Sequence, residues 1–202
     1  MNREHWEQIY ETRPTDQLSW YQREPAISHR LVVAAAPERS AAIVDVGSGV
    51  SALVDRLLGD GYRDVTLVEV SAHALDAVRA RLGDRARAVA FVRSDVLDWS
   101  PDPAYDVWHD RAVFHFLSDD ADRARYLERA TEAVRPGGAL IVASFAADGP
   151  THCSGLPVRR HTADDLAGTF AGAFTLQSNE REEHVTPAGG TQPFTWAVLR
   201  RD

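Results

Sequence analysis

A chain of 202 residues, 44% hydrophobic and 26% charged, is long enough for one genuine core and is most simply a single domain. Its net charge of −8 argues against a nucleic-acid backbone or an anionic membrane as main partner, since both demand basic surface. Cys153 is the single cysteine and all 22 basic residues are arginine, which excludes intrachain disulfides, cysteine-rich zinc sites, Schiff-base lysines and a P-loop lysine.

Residues 2–11 read as a helix with Trp6, Ile9 and Tyr10 on one face. Glu4 and Glu7 are unlike a signal peptide, and no apolar run reaches the roughly 18 residues of a membrane span, so a cytoplasmic location is expected. A polar loop carrying Leu18-Ser19-Trp20-Tyr21 follows, and a second helix starts near Glu24-Pro25 and ends before Pro37. Regular alternation then sets in. Strands are predicted at 42–46, 64–69, 88–93, 104–109 and 138–145, and helices at 51–59, 72–82, 120–134 and 162–170. The last helix opens on a possible capping box, Thr162-x-x-Asp165. Residues 173–178 and 191–199 have strand character, with Pro187-Ala188-Gly189-Gly190 as the turn between them. The fold class that follows is α/β: a Rossmann-like, doubly wound, mostly parallel seven-stranded sheet with an antiparallel C-terminal hairpin, binding its ligand at the carboxyl ends of the strands.

The most informative stretch is Ile43-Val44-Asp45-Val46-Gly47-Ser48-Gly49-Val50-Ser51, a buried strand running into a glycine turn. Gly47 and Gly49 let the backbone turn sharply and approach a ligand that a Cβ would exclude. Glu69 stands 22 residues after Gly47, near the separation at which a carboxylate meets the ribose hydroxyls of a nucleoside. Two cofactors fit this pattern. A dinucleotide usually wants a third glycine where this chain has Ala52, an acceptable variant, so that argument is weak. Arg93-Ser94-Asp95-Val96 tips the balance: a carboxylate there can accept from an adenine amino group while the Val96 backbone reads the ring edge.

These elements, with Tyr105-Asp106-Val107-Trp108-His109-Asp110 and Arg135-Pro136-Gly137-Gly138-Ala139-Leu140, resemble the class I S-adenosylmethionine-dependent methyltransferases along the whole chain. The resemblance implies S-adenosyl-L-methionine as cofactor. It puts Gly47, Ser48 and Gly49 against the methionyl part, Glu69 on the ribose, Val70, Asp95 and Val96 at the adenine, and residues 109–111, with Asp110 and Arg111, at the methionyl end. It also divides the chain into a helical cap (1–37), a cofactor-binding core (38–145) and a substrate-side segment with the terminal hairpin (146–202). Trp6-x-x-x-Tyr10, Leu18-Ser19-Trp20-Tyr21 and Gly49-Val50-Ser51-Ala52-Leu53 are similar to a subgroup containing lysine methyltransferases of elongation factor and citrate synthase, and small-molecule thiol methyltransferases share a looser version. That similarity implies that Trp6, Tyr10, Trp20 and Arg111 help to bind the cofactor.

Methyl transfer from a sulfonium is an in-line displacement, so alignment and exclusion of water carry much of the work, and an amine or hydroxyl acceptor often needs a general base. His109, Asp110, His115 and His184 are candidate bases, and His115 and His184 are the catalytic expectation because both follow strands or turns at the substrate end. The polar segment Asp148–Pro157 should overhang that end, with Thr186 and Gln192 of the hairpin facing the same pocket. No metal site is expected, since the spacing of His152, Cys153, His161 and His184 is irregular. A small-molecule acceptor is the first expectation. A protein-lysine methyltransferase is the second, and a nicotinamide enzyme or non-catalytic nucleoside-binding module the third.

Overall fold

The computed structural model describes residues 3–101 and 105–202, so Asn2 of the first predicted helix and Ala104 of the fourth predicted strand lie outside the described residues. Two helices, α1 (Arg3–Thr12) and α2 (Ala26–Ala35), precede the first strand. The alternating part is β1 (Ala42–Val46), α3 (Leu53–Gly59), β2 (Asp64–Glu69), α4 (Ala72–Leu82), β3 (Val89–Arg93), β4 (Tyr105–Arg111), α5 (Asp120–Ala133) and β5 (Val134–Phe145). A two-residue ribbon, β6 (His152–Cys153) and β7 (Leu156–Pro157), leads to α6 (Ala163–Phe170) and the hairpin β8 (Phe174–Val185) and β9 (Thr191–Arg201). The sheet has the order β3-β2-β1-β4-β5-β9-β8. Its first five strands are parallel, and β9 runs antiparallel to both β5 and β8.

Helices cover both faces, which is why the central strands are apolar almost without interruption. Ile43, Val65, Leu67, Val107 and Ile141 meet α2, α3 and α4, while Val44, Val46, Val68, Trp108 and Val142 meet α5 and α6. A third cluster of Trp6, Ile9, Leu18, Val50, Val70 and Ala74 seals the N-terminal cap over the carboxyl ends of β1 and β2. Side chains cap the helices at their starts: Ser71 accepts from Ala74 N, Asp119 from Ala121 N, and Thr162 and Asp165 form the expected capping box. No helix among the described residues is long and apolar enough to cross a membrane.

β4 and β9 each run two residues past their predicted ends, and two strands depart further. β5 begins at Val134, four residues early, because Val134 pairs with Tyr105 before an irregularity at Arg135–Gly138 restores the register at Ala139. β8 runs to Val185 rather than stopping at 178. Asn179-Glu180-Arg181-Glu182-Glu183-His184 has the composition of a loop, yet it pairs residue by residue with β9 as the charged edge of the sheet. Within it Glu182 and His184 are buried, two positions apart, and this alternation brings both against the N-terminal cap.

Candidate active site

Strand order reverses between β2-β1 and β1-β4, and a crevice opens there at the carboxyl ends of the strands. Its floor is the glycine turn. Gly47 N–H donates to the Val68 carbonyl at 2.7 Å, and Gly47 and Gly49 both adopt left-handed conformations, with φ of 57° and 50°. A Cβ on Gly47 would collide with the Val113 side chain, and one on Gly49 with the Tyr10 hydroxyl. Gly47→Ala should therefore lower the melting temperature of the protein without ligand, since left-handed strain and an overpacked contact each cost about 1–3 kcal/mol. An unchanged melting temperature would show that Val113 gives way freely.

The turn is tied to the end of β2 by one carboxylate. Glu69 is buried, accepting from Gly49 N through Oε2 and from Ser71 N through Oε1, both at 2.9 Å. Burial raises its pKa, and the backbone donors act against that rise.

The crevice has two compartments that share Tyr10, Trp20, Gly47 and Arg111. Glu69, Val70, Ser94, Val96 and Val113 line one side of the first; Trp6, Phe116, Phe145, Cys153, Gln192 and Phe194 line the rest. The second lies beneath the glycine turn, against Ser28, Asp45, Ser48, Gly49 and His109. Asp45 and His109 are direct neighbours in the β1–β4 register and project from the same face, so Asp45 Oδ1 meets His109 Nδ1 at 2.7 Å. That bond leaves Nε2 directed away from the carboxylate, buried and without a hydrogen-bond partner.

Arg111 ends β4 at the seam between the compartments. Its guanidinium lies 4.6 Å from the Phe194 ring centroid, and Nη1 donates to the Trp20 carbonyl at 3.1 Å. Nη2 stands 3.8 Å from Glu182 Oε1, a carboxylate that also accepts from Gln22 Nε2 and Trp196 Nε1. Burial lowers the Arg111 pKa and Glu182 opposes the shift. Nε and Nη2 have no hydrogen-bond partner, and the same is true of Ser48 Oγ and Gln192 Oε1, which also line the crevice. Buried polar atoms left unpaired cost about 1–3 kcal/mol each, so this concentration marks where the polar groups of a ligand belong.

The structure therefore gathers Trp6, Tyr10, Trp20, Gly47, Ser48, Gly49, Glu69, Val70, Val96 and Arg111 around one crevice. Four expected residues stand elsewhere. Asp95 is not in the lining: its Oδ1 accepts from Leu97 N at 3.0 Å to form the turn after β3, and the flanking Ser94 and Val96 face the cavity instead. Asp110 is also structural. Its Oδ1 accepts from Val113 N, its Oδ2 from Phe114 N and the Tyr126 hydroxyl, and burial lifts its pKa to about 6.

Neither expected catalytic histidine reaches the lining. His115 is fully buried against the Phe116 and Phe145 rings, at centroid distances of 4.4 and 4.8 Å. It sits in a 3-10 turn (Phe114–Phe116) that presents Phe116 to the cavity and turns the histidine behind it. His184 donates from Nε2 to the Ser19 carbonyl at 2.7 Å and thereby fastens the hairpin to the cap. Of the two hairpin residues expected beside it, Gln192 lines the first compartment and Thr186 does not. Sequence reasoning missed Asp45 and Ser28 as lining residues. Asp45 had a signal: it shares a sheet face with His109 once β1 and β4 are placed side by side. Among the described residues no group of three or more His, Cys, Asp or Glu side chains is arranged to hold a metal ion.

A seven-stranded sheet of this order, with a glycine turn after β1 and a buried carboxylate ending β2, defines a class I S-adenosylmethionine-dependent methyltransferase. Residues 27–151, more than half of the chain, match the model of the AdoMet dependent proline di-methyltransferase family, and the chain belongs to that family. It is similar to the N-terminal Xaa-Pro-Lys N-methyltransferase 1 of Danio rerio, 33% identical over 101 residues, which is 49% of this chain and 45% of that protein. The match thus spans about half the length of such curated relatives. The Mus musculus eEF1A lysine and N-terminal methyltransferase is 21% identical over 150 residues, covering 71% of this chain and 21% of that protein. Among solved structures, a chain from work on the conversion of a disulfide bond into a thioacetal group during echinomycin biosynthesis has a TM-score of 0.76 at 23% identity, covering 99% of this chain and 93% of that one. The 1,6-didemethyltoxoflavin-N1-methyltransferase of Burkholderia thailandensis gives 0.69 at 24% identity, over 88% of this chain and 78% of that one. These structural likenesses are of fold. The fold and the family are those of the class I S-adenosylmethionine-dependent methyltransferases.

Proposed function

We propose that this methyltransferase modifies a small-molecule acceptor held in the aromatic part of the first compartment. One observation carries the reading: that space is walled by three separate parts of the chain, with Trp6 and Trp20 from the cap, Cys153 from the 146–160 segment, and Gln192 and Phe194 from the hairpin. Such a chamber suits a compact ligand surrounded by apolar and aromatic side chains with a few polar groups to orient it. The division into cap (1–37), core (38–145) and substrate-side segment (146–202) is part of this proposal.

The cofactor roles follow from position. Glu69 has acceptor capacity left for the ribose hydroxyls, and Val70, Ser94 and Val96 form the adenine side. The methionyl group belongs along Gly47–Gly49 towards the second compartment, where Ser48 and the Asp45–His109 pair meet its charged ends. Trp6, Tyr10 and Trp20 cover the reacting centre and exclude water. S-adenosylmethionine supplies an electrophilic methyl group when bound. The aromatic wall of the first compartment would hold the acceptor's lone pair in line with the sulfonium C–S bond, and the acceptor's proton would leave to solvent. Saturating S-adenosylhomocysteine, at roughly a hundred times its dissociation constant, should add about 2.7 kcal/mol of stability, and NAD and NADP none. Stabilisation by NAD but not S-adenosylhomocysteine would overturn the cofactor assignment.

A second reading, methylation of a protein at a lysine or an N-terminus, is favoured by the names of the matched family and relatives and by an acidic chain able to meet a basic target. Radiolabelled methyl transfer into thiols, phenols and amines, run beside a cell lysate, separates the two. Label confined to a protein band would replace the first reading with the second.

A further inference from the structure

We infer that the acceptor is a flat heteroaromatic ring that offers an N–H or O–H donor to Gln192 and a hydrogen-bond acceptor to Arg111 from one edge, and that a protonated alkylamine is excluded. This rests on the reading of the first compartment as the acceptor end of the methyltransferase site.

Shape comes from the walls. Trp6, Trp20, Phe116, Phe145 and Phe194 surround the space, and flat apolar rings pack against such surfaces by offset or edge-on contacts. The polar groups are few and specific. Gln192 and Phe194 are two apart on β9 and share a face, so the Gln192 amide lies beside the ring over which the Arg111 guanidinium stacks. Gln192 Oε1 is a buried acceptor without a donor, and Arg111 Nε and Nη2 are buried donors without an acceptor. A ligand edge carrying a donor next to an acceptor, as in a lactam, satisfies both. A purely hydrocarbon ring satisfies neither and leaves their desolvation uncompensated.

Charge decides against the amine. Five rings could in principle form a cage for an ammonium ion. Here the cation is already supplied: Arg111 lies on Phe194, its side chain only 10% exposed. Among the described residues, the one carboxylate lining the first compartment, Glu69, is bonded to Gly49 N and Ser71 N, and Glu182 beside Arg111 accepts from Gln22 and Trp196. A second positive charge would meet like charge in a poorly hydrated space, which disfavours it.

The test is calorimetry on the enzyme saturated with S-adenosylhomocysteine, using 2-quinolinone, hypoxanthine, 1-methyl-2-quinolinone, n-butylamine and a Pro-Lys dipeptide. At least one of the two N–H rings should bind, and blocking the N–H in 1-methyl-2-quinolinone should weaken the quinolinone at least tenfold. In Gln192→Leu that discrimination should vanish while S-adenosylhomocysteine affinity stays the same, which also shows that the variant is folded. Tighter binding of butylamine or the dipeptide than of either ring overturns the inference. So does binding by no probe, or discrimination that survives in Gln192→Leu. Failure of S-adenosylhomocysteine itself to bind is a separate result and removes the methyltransferase reading beneath it.

Discussion

Glu69→Ala should destabilise the ligand-free enzyme by about 2–6 kcal/mol and should weaken S-adenosylhomocysteine binding as well. The first effect comes from Gly49 N and Ser71 N, which both donate to this carboxylate in the interior. Truncation leaves two buried N–H groups unpaired, at about 1–3 kcal/mol each. Against a typical folding stability of about 5–15 kcal/mol, that is a large fraction of the whole. The second effect is the loss of charge-assisted hydrogen bonds to the ribose, for which about 1.5–3 kcal/mol is the usual scale. Urea denaturation without ligand reads the first and calorimetry at low temperature the second. A variant with the wild-type urea midpoint but impaired binding would mean that the loop does not need its carboxylate, and an unimpaired affinity would place the ribose elsewhere.

That double role explains what the sequence revealed and what it hid. The parallel strands were legible because burial on both faces leaves apolar runs such as Ala42–Val46 with turn residues at their ends, and β1 has the predicted limits. The glycine turn and Glu69 were legible as a pair because their spacing is set by one helix and one strand. What Glu69 does without a ligand was not, since its partners are backbone N–H groups that no residue type announces. Asp95, Asp110 and His115 stand outside the lining for a related reason. Each lies at or just past the carboxyl end of a strand, where sequence position alone suggests a ligand, but the tight turns after β3 and β4 engage the Asp95 and Asp110 carboxylates and turn His115 inwards. The long β8 was hidden by composition: its charged edge has few of the apolar alternations by which strands are recognised. The aromatic wall of the first compartment was the least legible of all. It is assembled from residues as distant as Trp6 and Phe194, and only the folded sheet brings them together.

The burial of His115 predicts an acid sensitivity that belongs to the fold and not to catalysis. Its ring is fully enclosed, and desolvation, reinforced by His161 and Arg111, lowers its pKa from 6.5 to about 3. The folded protein therefore keeps this ring neutral where the unfolded chain protonates it. Its contribution to stability is fully present above pH 6.5 and is lost progressively as pH falls towards 3. Asp110 pulls the other way, because its folded pKa is raised from 3.8 to about 6, so the total pH profile of the enzyme mixes the two. A comparison with His115→Phe removes the histidine term alone. At pH 7.5 the variant should be as stable as the wild type or slightly more so, since both ring nitrogens are buried without partners and a ring of similar size removes that cost. At pH 4.5 it should exceed the wild type by about a further 3 kcal/mol, two pH units below the unfolded value at about 1.4 kcal/mol each. His115→Leu provides the same comparison if the phenyl ring packs badly. Urea midpoints that fall in parallel for wild type and variants between these pH values would show that His115 is protonated within the fold, and that the pocket formed by Phe116 and Phe145 admits water.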